Sequence, residues 1–207
     1  MVDSEEYFGF NRGRIISGIA MIDPLTAASE YSGDSSLASL ASGALLEIVT
    51  EKLQGRYRRI CASILIPCSI EQVWKVLTDY DSLSDFIPNL TVSRRLGESE
   101  SGTLLEQIGS QCFLNVQFCA RVVLDMAEKF PNYLGFTMVE GDFKAFEGAW
   151  KLEPDSESES ITCLMYELTV CPPLAIPAML IERHLRRDLA QNLQAIRQQA
   201  IVLAGTA

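Results

Sequence analysis

The side chains able to move a proton or attack an electrophile are few and scattered. The chain has one histidine, His184, set between Arg183 and Leu185 with Ile181 and Asp188 at helical spacing. An imidazole in that setting reads as a packed or surface group rather than the tuned base of acid–base catalysis. Glu106, Glu140 and Glu147 fall on or beside segments that read as strands. Any of them that faced an apolar interior would have its pKa raised by desolvation and become a candidate acid. Serines are plentiful, but no GxSxG, HExxH, P-loop or GxGxxG pattern occurs. The six cysteines (Cys61, Cys68, Cys112, Cys119, Cys163 and Cys171) include no CxxC pair. The close ligand spacing of a zinc site is therefore missing, and they read as reduced, mostly buried thiols. No catalytic residue is assigned, and no metal or cofactor is expected.

Binding an apolar molecule asks for less: apolar walls and one or two polar groups to orient the ligand. Trp150 and Tyr166 each put a polar tip on a large hydrophobic body. They suit contact with a polar group on an otherwise apolar ligand. Each ligand methylene buried stabilises by about 0.8 kcal/mol, so an acyl or prenyl tail needs no catalysis to be held.

The elements that must position these groups follow from periodicity. Residues 44–53 fit a helix face (Leu45, Ile48, Val49, Leu53) or a strand (Leu46, Ile48, Thr50). Gln54-Gly55 then turns into a clear strand over 56–66, and a strand pair about that turn is the reading adopted. Ser69-Ile70-Glu71-Gln72 is a capping box. It starts a helix carrying Val73, Trp74 and Leu77 that stops near Asp79, followed by a second short helix over about 81–87 that ends before Pro88. From there the period is two. Strands are expected over 89–96, 103–110 and about 112–128, then through Leu134–Met138, through Phe146–Leu152 and over 161–170. Short turns between neighbours require antiparallel pairing. Ile181, Leu185, Leu189, Leu193, Ile196 and Ala200 recur at three- or four-residue spacing. They mark one long amphipathic helix, roughly 40 Å from end to end at 1.5 Å per residue, able to cover the apolar face of the sheet.

Composition bounds the classes. In 207 residues, 48% are hydrophobic and 21% charged, with a formal net charge of −10. This suits a globular domain and argues against nucleic acid as a partner, which needs a basic footprint. Arginines cluster at 56, 58 and 59, at 94 and 95, and at 183, 186 and 187. These read as solvated faces, or as a patch for transient contact with an anionic membrane surface, at about 1 kcal/mol per basic residue. The opening MVDSEEYFGF is acidic where a secretory leader would be basic, and no apolar run is long enough to span a bilayer. The expected location is cytoplasmic, with peripheral membrane contact. Residues 1–43, weakly periodic and rich in Ser, Ala and Gly from 29 to 43, read as a poorly ordered extension ahead of a domain over 44–204.

The segment VWKVLTDYDSLSDFIPNLTVSRRL (73–96) resembles the signature of the polyketide cyclase/dehydrase and coenzyme Q-binding group of the START-like (SRPBCC) superfamily. LLEQIGSQ (104–111), FEGAWKLEP (146–154) and the ending from Ile176 to Ala200 fit the same pattern, in the form met in cyanobacteria and plastids. The resemblance covers about residues 45–203. It implies an α+β helix-grip fold: a strongly curved antiparallel sheet of six to seven strands wrapped around a long C-terminal helix. Two short helices follow the first strand, and a cavity lies between sheet and helix. The expected cavity residues are Phe86, Leu114, Val116, Phe118, Phe136, Met138, Phe146, Trp150, Leu164, Tyr166, Ile181 and Leu185. The implied partner is a hydrophobic small molecule, a lipid or an isoprenoid quinone; which protein partner it has, the sequence leaves unknown. Three readings follow. A carrier or chaperone would have an open apolar cavity, a cyclase or dehydratase would have converging polar groups, and a scaffold that engages a partner through the N-terminal extension or an arginine patch would fill its cavity with its own side chains.

Overall fold

The computed structural model describes residues 46–113, 116–156, 158, 160–174 and 178–206; the side chains of 111–118, 178–182 and 184 fall outside that description. So does the extension expected over 1–43. The described chain runs β1 (Leu46–Lys52), β2 (Arg58–Ile66), α1 (Ile70–Thr78), a 3-10 turn (Tyr80–Ser82), α2 (Leu83–Phe86), then β3 (Leu90–Glu98) and β4 (Gly102–Phe113). β5 (Val116–Lys129), β6 (Tyr133–Gly141), β7 (Ala145–Pro154), β8 (Thr162–Cys171) and α3 (Ala178–Gly205) complete it.

All eight strands form one antiparallel sheet in the order β1-β2-β8-β7-β6-β5-β4-β3. This is the expected helix-grip arrangement with a strand more than the six to seven anticipated. The strand pair expected about Gln54-Gly55 is present, and β1, whose residues fit helix or strand alike, brings the count to eight. It pairs with β2 from Leu46↔Ile64 to Lys52↔Arg58, so the short helices follow the second strand, not the first. The switch to helix after β2 is made by the predicted capping box. Gln72 N–H donates to Ser69 Oγ at 3.4 Å, and Ser69 N–H to Gln72 Oε1 at 2.9 Å.

The core is the inner face of the sheet closed by α1 and α3. Ile60, Ile64, Ile66, Val73, Leu152, Leu164 and Val170 are buried with Leu193, Ile196 and Ala200 of α3. α3 packs on β2, β1 and α1. Phe136, Gly148 and Leu168 lie abreast on β6, β7 and β8. A Cβ on Gly148 would overlap the Glu167 carbonyl oxygen and come within 2.7 Å of the Phe136 ring, so only glycine permits this approach.

The thiols are less uniformly buried than expected. Cys68 and Cys171 are buried, Cys61 and Cys163 half-buried and Cys119 exposed, all of them free. Cys119 alternates with Ala120, so its partner on the inner face takes the interior and the thiol does not. No helix among the described residues is long and apolar enough to cross a membrane.

Candidate ligand-binding cavity

Neighbouring strands set the size of the interior through what they place opposite one another. On the inner face, Leu105 pairs with Leu124, Gln107 with Val122, and Gly109 with Ala120. Side-chain volume falls along this ladder, and the wall recedes as it falls. The opposite wall is the middle of α3, from Leu185 to Ile196. Between them lies a cavity of about 410 Å³, within the range of small-molecule sites.

The side of the cavity under β6, β7 and β8 is aromatic and continuous. Phe143 meets Phe146 at 5.4 Å between ring centroids, Phe146 meets Phe136 at 5.8 Å, Phe136 stacks on Tyr166 at 5.8 Å, and Tyr166 meets Trp150 at 4.2 Å. All five line the cavity. Such pairs add roughly 0.5–1.5 kcal/mol each beyond their buried area, which makes this a stiff wall. Burial pushes the Tyr166 phenol up, so it stays protonated and is a hydrogen-bond donor.

Tyr80, Leu83, Ile87, Pro88, Asn89 and Leu90, from the 3-10 turn to the start of β3, line the cavity too. This segment is tied down through Tyr80. Its hydroxyl donates to Glu128 at 2.7 Å, its carbonyl accepts from Ser93 Oγ at 2.6 Å, and the Arg95 guanidinium lies 5.0 Å from its ring centroid. Burial and the bond to Glu128 push the Tyr80 phenol up. Asn89 takes a left-handed conformation (φ 64°), and its carbonyl accepts from Ser110 N–H at 2.8 Å.

Of the expected cavity residues, Phe136, Phe146, Trp150, Tyr166 and Leu185 are on the lining. Leu164 is fully buried in the core, and Phe86 and Met138 pack half-buried against it; these three are off the lining. Leu114 and the side chains of Val116, Phe118 and Ile181 lie outside the described residues, as does that of His184. Sequence reasoning missed the polar lining: Asn89, Gln107, Asp188 and Asn192. A signal existed. Asp188 and Asn192 interrupt the apolar stripe of α3 one turn apart, and Gln107 interrupts the inward alternation of β4.

The strand carboxylates take no part in the cavity. Glu106 alternates with the inward Leu105 and Gln107 and points outward. Arg94 Nε reaches it at 2.5 Å and Arg121 Nε at 2.6 Å, while Arg121 also holds Glu140 at 2.6 Å. These guanidiniums, Arg121 first, hold the Glu106 carboxyl below the usual range. Glu147 is exposed. Two of the three arginine clusters are likewise engaged within the fold. Arg56 donates to the Pro173 carbonyl, Arg58 to that of Tyr57, and Arg59 pairs with Glu51 and Glu167. Arg95 donates to the Thr78 carbonyl. Arg183, Arg186 and Arg187 are exposed on α3.

Comparison with known proteins agrees with this architecture. The family model described as polyketide cyclase / dehydrase and lipid transport matches residues 66–197, well over half of the chain. The fold is similar to that of a STAR-related lipid transfer protein from Xanthomonas axonopodis, 15% identical, with a TM-score of 0.61 over 75% of this chain and 93% of that one. It is also similar to the Zhui aromatase/cyclase from Streptomyces sp. R1128, 14% identical, with a TM-score of 0.58 over 70% and 93%. Among curated proteins, the ribosome association toxin RatA of Escherichia coli K12 is 30% identical over 100 residues, 48% of this chain. The chain spans about 60% of the length of that relative.

Proposed function

The chain belongs to the polyketide cyclase / dehydrase and lipid transport family, and on that premise we propose that it is a non-catalytic carrier or chaperone for a lipid or isoprenoid quinone. The ligand lies with its tail against the aromatic wall. The observation that carries this reading is an open cavity of about 410 Å³ between α3 and the inner face of the sheet. A scaffold with a filled interior would have no such space.

The energetics suit a tail-bearing ligand. About ten buried methylenes contribute on the order of 8 kcal/mol, against an association cost of several kcal/mol. The balance gives useful but reversible binding, as transport requires. The segment from Tyr80 to Leu90 stands at the cavity as a lid through which the ligand passes when the protein meets a membrane.

The two phenols on the lining favour holding over turnover. Tyr80 is committed to Glu128, and both lining phenols have their pKa values raised, so neither is poised to transfer a proton near pH 7. The ribosome association in the name of the E. coli relative fits this chain poorly. Its formal charge is −10, and the arginines of β2 and β3 are already engaged.

Native mass spectrometry of the protein from its own cells, followed by organic extraction, tests the reading. The expected result is a stoichiometric lipid or prenylquinone. A protein that is empty and also takes up neither class in titration would remove the carrier function.

A further inference from the structure

β4 sends Leu105, Gln107 and Gly109 to the cavity from successive inward positions. Leu105, 1% exposed, seals one end of this row. Gly109 stands beside the Asn89 carbonyl at the other end, where Pro88 and Asn89 are exposed and form the mouth. Gln107 lies between them, one rung inside that mouth. It is half-buried, no described residue hydrogen-bonds its amide, and its amide atoms are not among those sealed from solvent. Its inward neighbours Leu105, Val122 and Leu124 are apolar, so leucine or valine would have continued the wall. Native folds keep few unpartnered polar groups in their interiors, and each one asks for a reason.

The charge of the lining is as distinctive as this amide. Among the described residues it holds no lysine, arginine or histidine. Its charged member, Asp188, is an anion that already has a partner within the fold. The cations nearby in sequence are turned elsewhere. Arg94 and Arg121 enclose Glu106 on the outer face of the sheet. Arg95 lies over the Tyr80 ring but is exposed and donates to the Thr78 carbonyl. Arg183, Arg186 and Arg187 are exposed.

We infer that the cavity selects an amphiphile whose polar end is uncharged, and that Gln107 receives that end. This deepens the carrier reading above and rests on it. An amide both donates and accepts, so a carbonyl, a hydroxyl or another amide satisfies it. A carboxylate or phosphate in the same place gives up its water and finds no cation in return, which costs several kcal/mol. The class so defined contains quinones, long-chain alcohols and neutral esters and amides. It excludes free fatty acids and prenyl phosphates held with the head inside.

The test compares farnesoic acid with its primary amide, which share one chain and one head shape and differ in charge. Titrations are run at about pH 7.5, where the acid is ionised, and read from tryptophan fluorescence, Trp150 being in the cavity wall. The full-length protein is expected to bind the amide about a hundredfold more tightly than the acid. Gln107→Leu is expected to weaken the amide about tenfold, the size of one hydrogen bond, and to leave the acid as it was. Gln107→Lys, which places a cation on the wall, is expected to turn the preference toward the acid; where that variant does not fold, Gln107→Leu carries the test. Equal binding of the two probes by the natural protein, or tighter binding of the acid, would overturn the inference and leave the carrier reading standing. Amide binding unchanged in Gln107→Leu would overturn the role of Gln107. Should neither probe bind the natural protein, the carrier reading and this inference fall together.

Discussion

Glu106 is the buried member of a charge ladder that is otherwise exposed, running across the outer face of β3, β4, β5 and β6. Its side chain is 5% exposed, against 63% for Arg94 and 70% for Glu140. The two guanidiniums that enclose it favour its charged form, and that preference is linked to folding. A carboxyl whose pKa is lowered in the fold contributes stability above its unfolded value, about 4.3. The contribution is lost as pH falls through the folded value. Thermal melts of the natural protein and of Glu106→Gln between pH 7 and pH 3 are therefore expected to differ most above about pH 5 and to draw together as pH falls below the unfolded value, about 4.3. A gap independent of pH would assign the difference to shape rather than charge. The same residue shows how a single alternation decides chemistry: one position along β4 in either direction, and this carboxyl would face the cavity as a candidate acid.

The cavity belongs to elements rather than to any one residue. β4 and β5 run Leu–Leu, Gln–Val, Gly–Ala in opposed inward pairs, and the small end of that series leaves the space. A Cβ on Gly109 would meet only the Asn89 carbonyl oxygen, at an ordinary 3.7 Å, so the glycine is not forced by backbone crowding. Room for a ligand accounts for it better than packing does. Ala120→Leu would extend three carbons from the β5 wall into this space. It is expected to cut prenylquinone uptake at least tenfold in a fluorescence titration. The melting temperature should hold or rise, since a void is being filled rather than a packed core overfilled. Unchanged uptake would place the ligand elsewhere.

At the scale of the molecule, an unfilled apolar space deprives its walls of contacts that a ligand would restore. Binding to the folded state alone should therefore stabilise it, by about 2.7 kcal/mol at one hundred times the dissociation constant. For a domain of this size that is a rise of roughly 5–10 °C in melting temperature. Calorimetry with and without an excess of prenylquinone checks it. A melting temperature unmoved at saturation would show that the folded protein does not take up that class of ligand.

Much of this architecture was legible in the linear chain. The period-two strands, the Ser69 capping box and the stripe from Leu185 to Ala200 are local signals, because alternation and helical spacing are set by backbone geometry alone. Phe136, Phe146, Trp150, Tyr166 and Leu185 could be placed on the inner face for the same reason. Parity along a strand says which face a residue takes, but not what stands opposite. Leu164 and Trp150 share one parity and one sheet face. Only the tertiary structure buries the first in the core and leaves the second on the cavity, because what packs over each rung of the sheet comes from elements remote in sequence. The same holds for Asn192, Asp188 and Gln107. Each is visible in sequence as a break in an apolar pattern, and each acquires meaning only when helix and sheet, far apart in the chain, bring the breaks to one space.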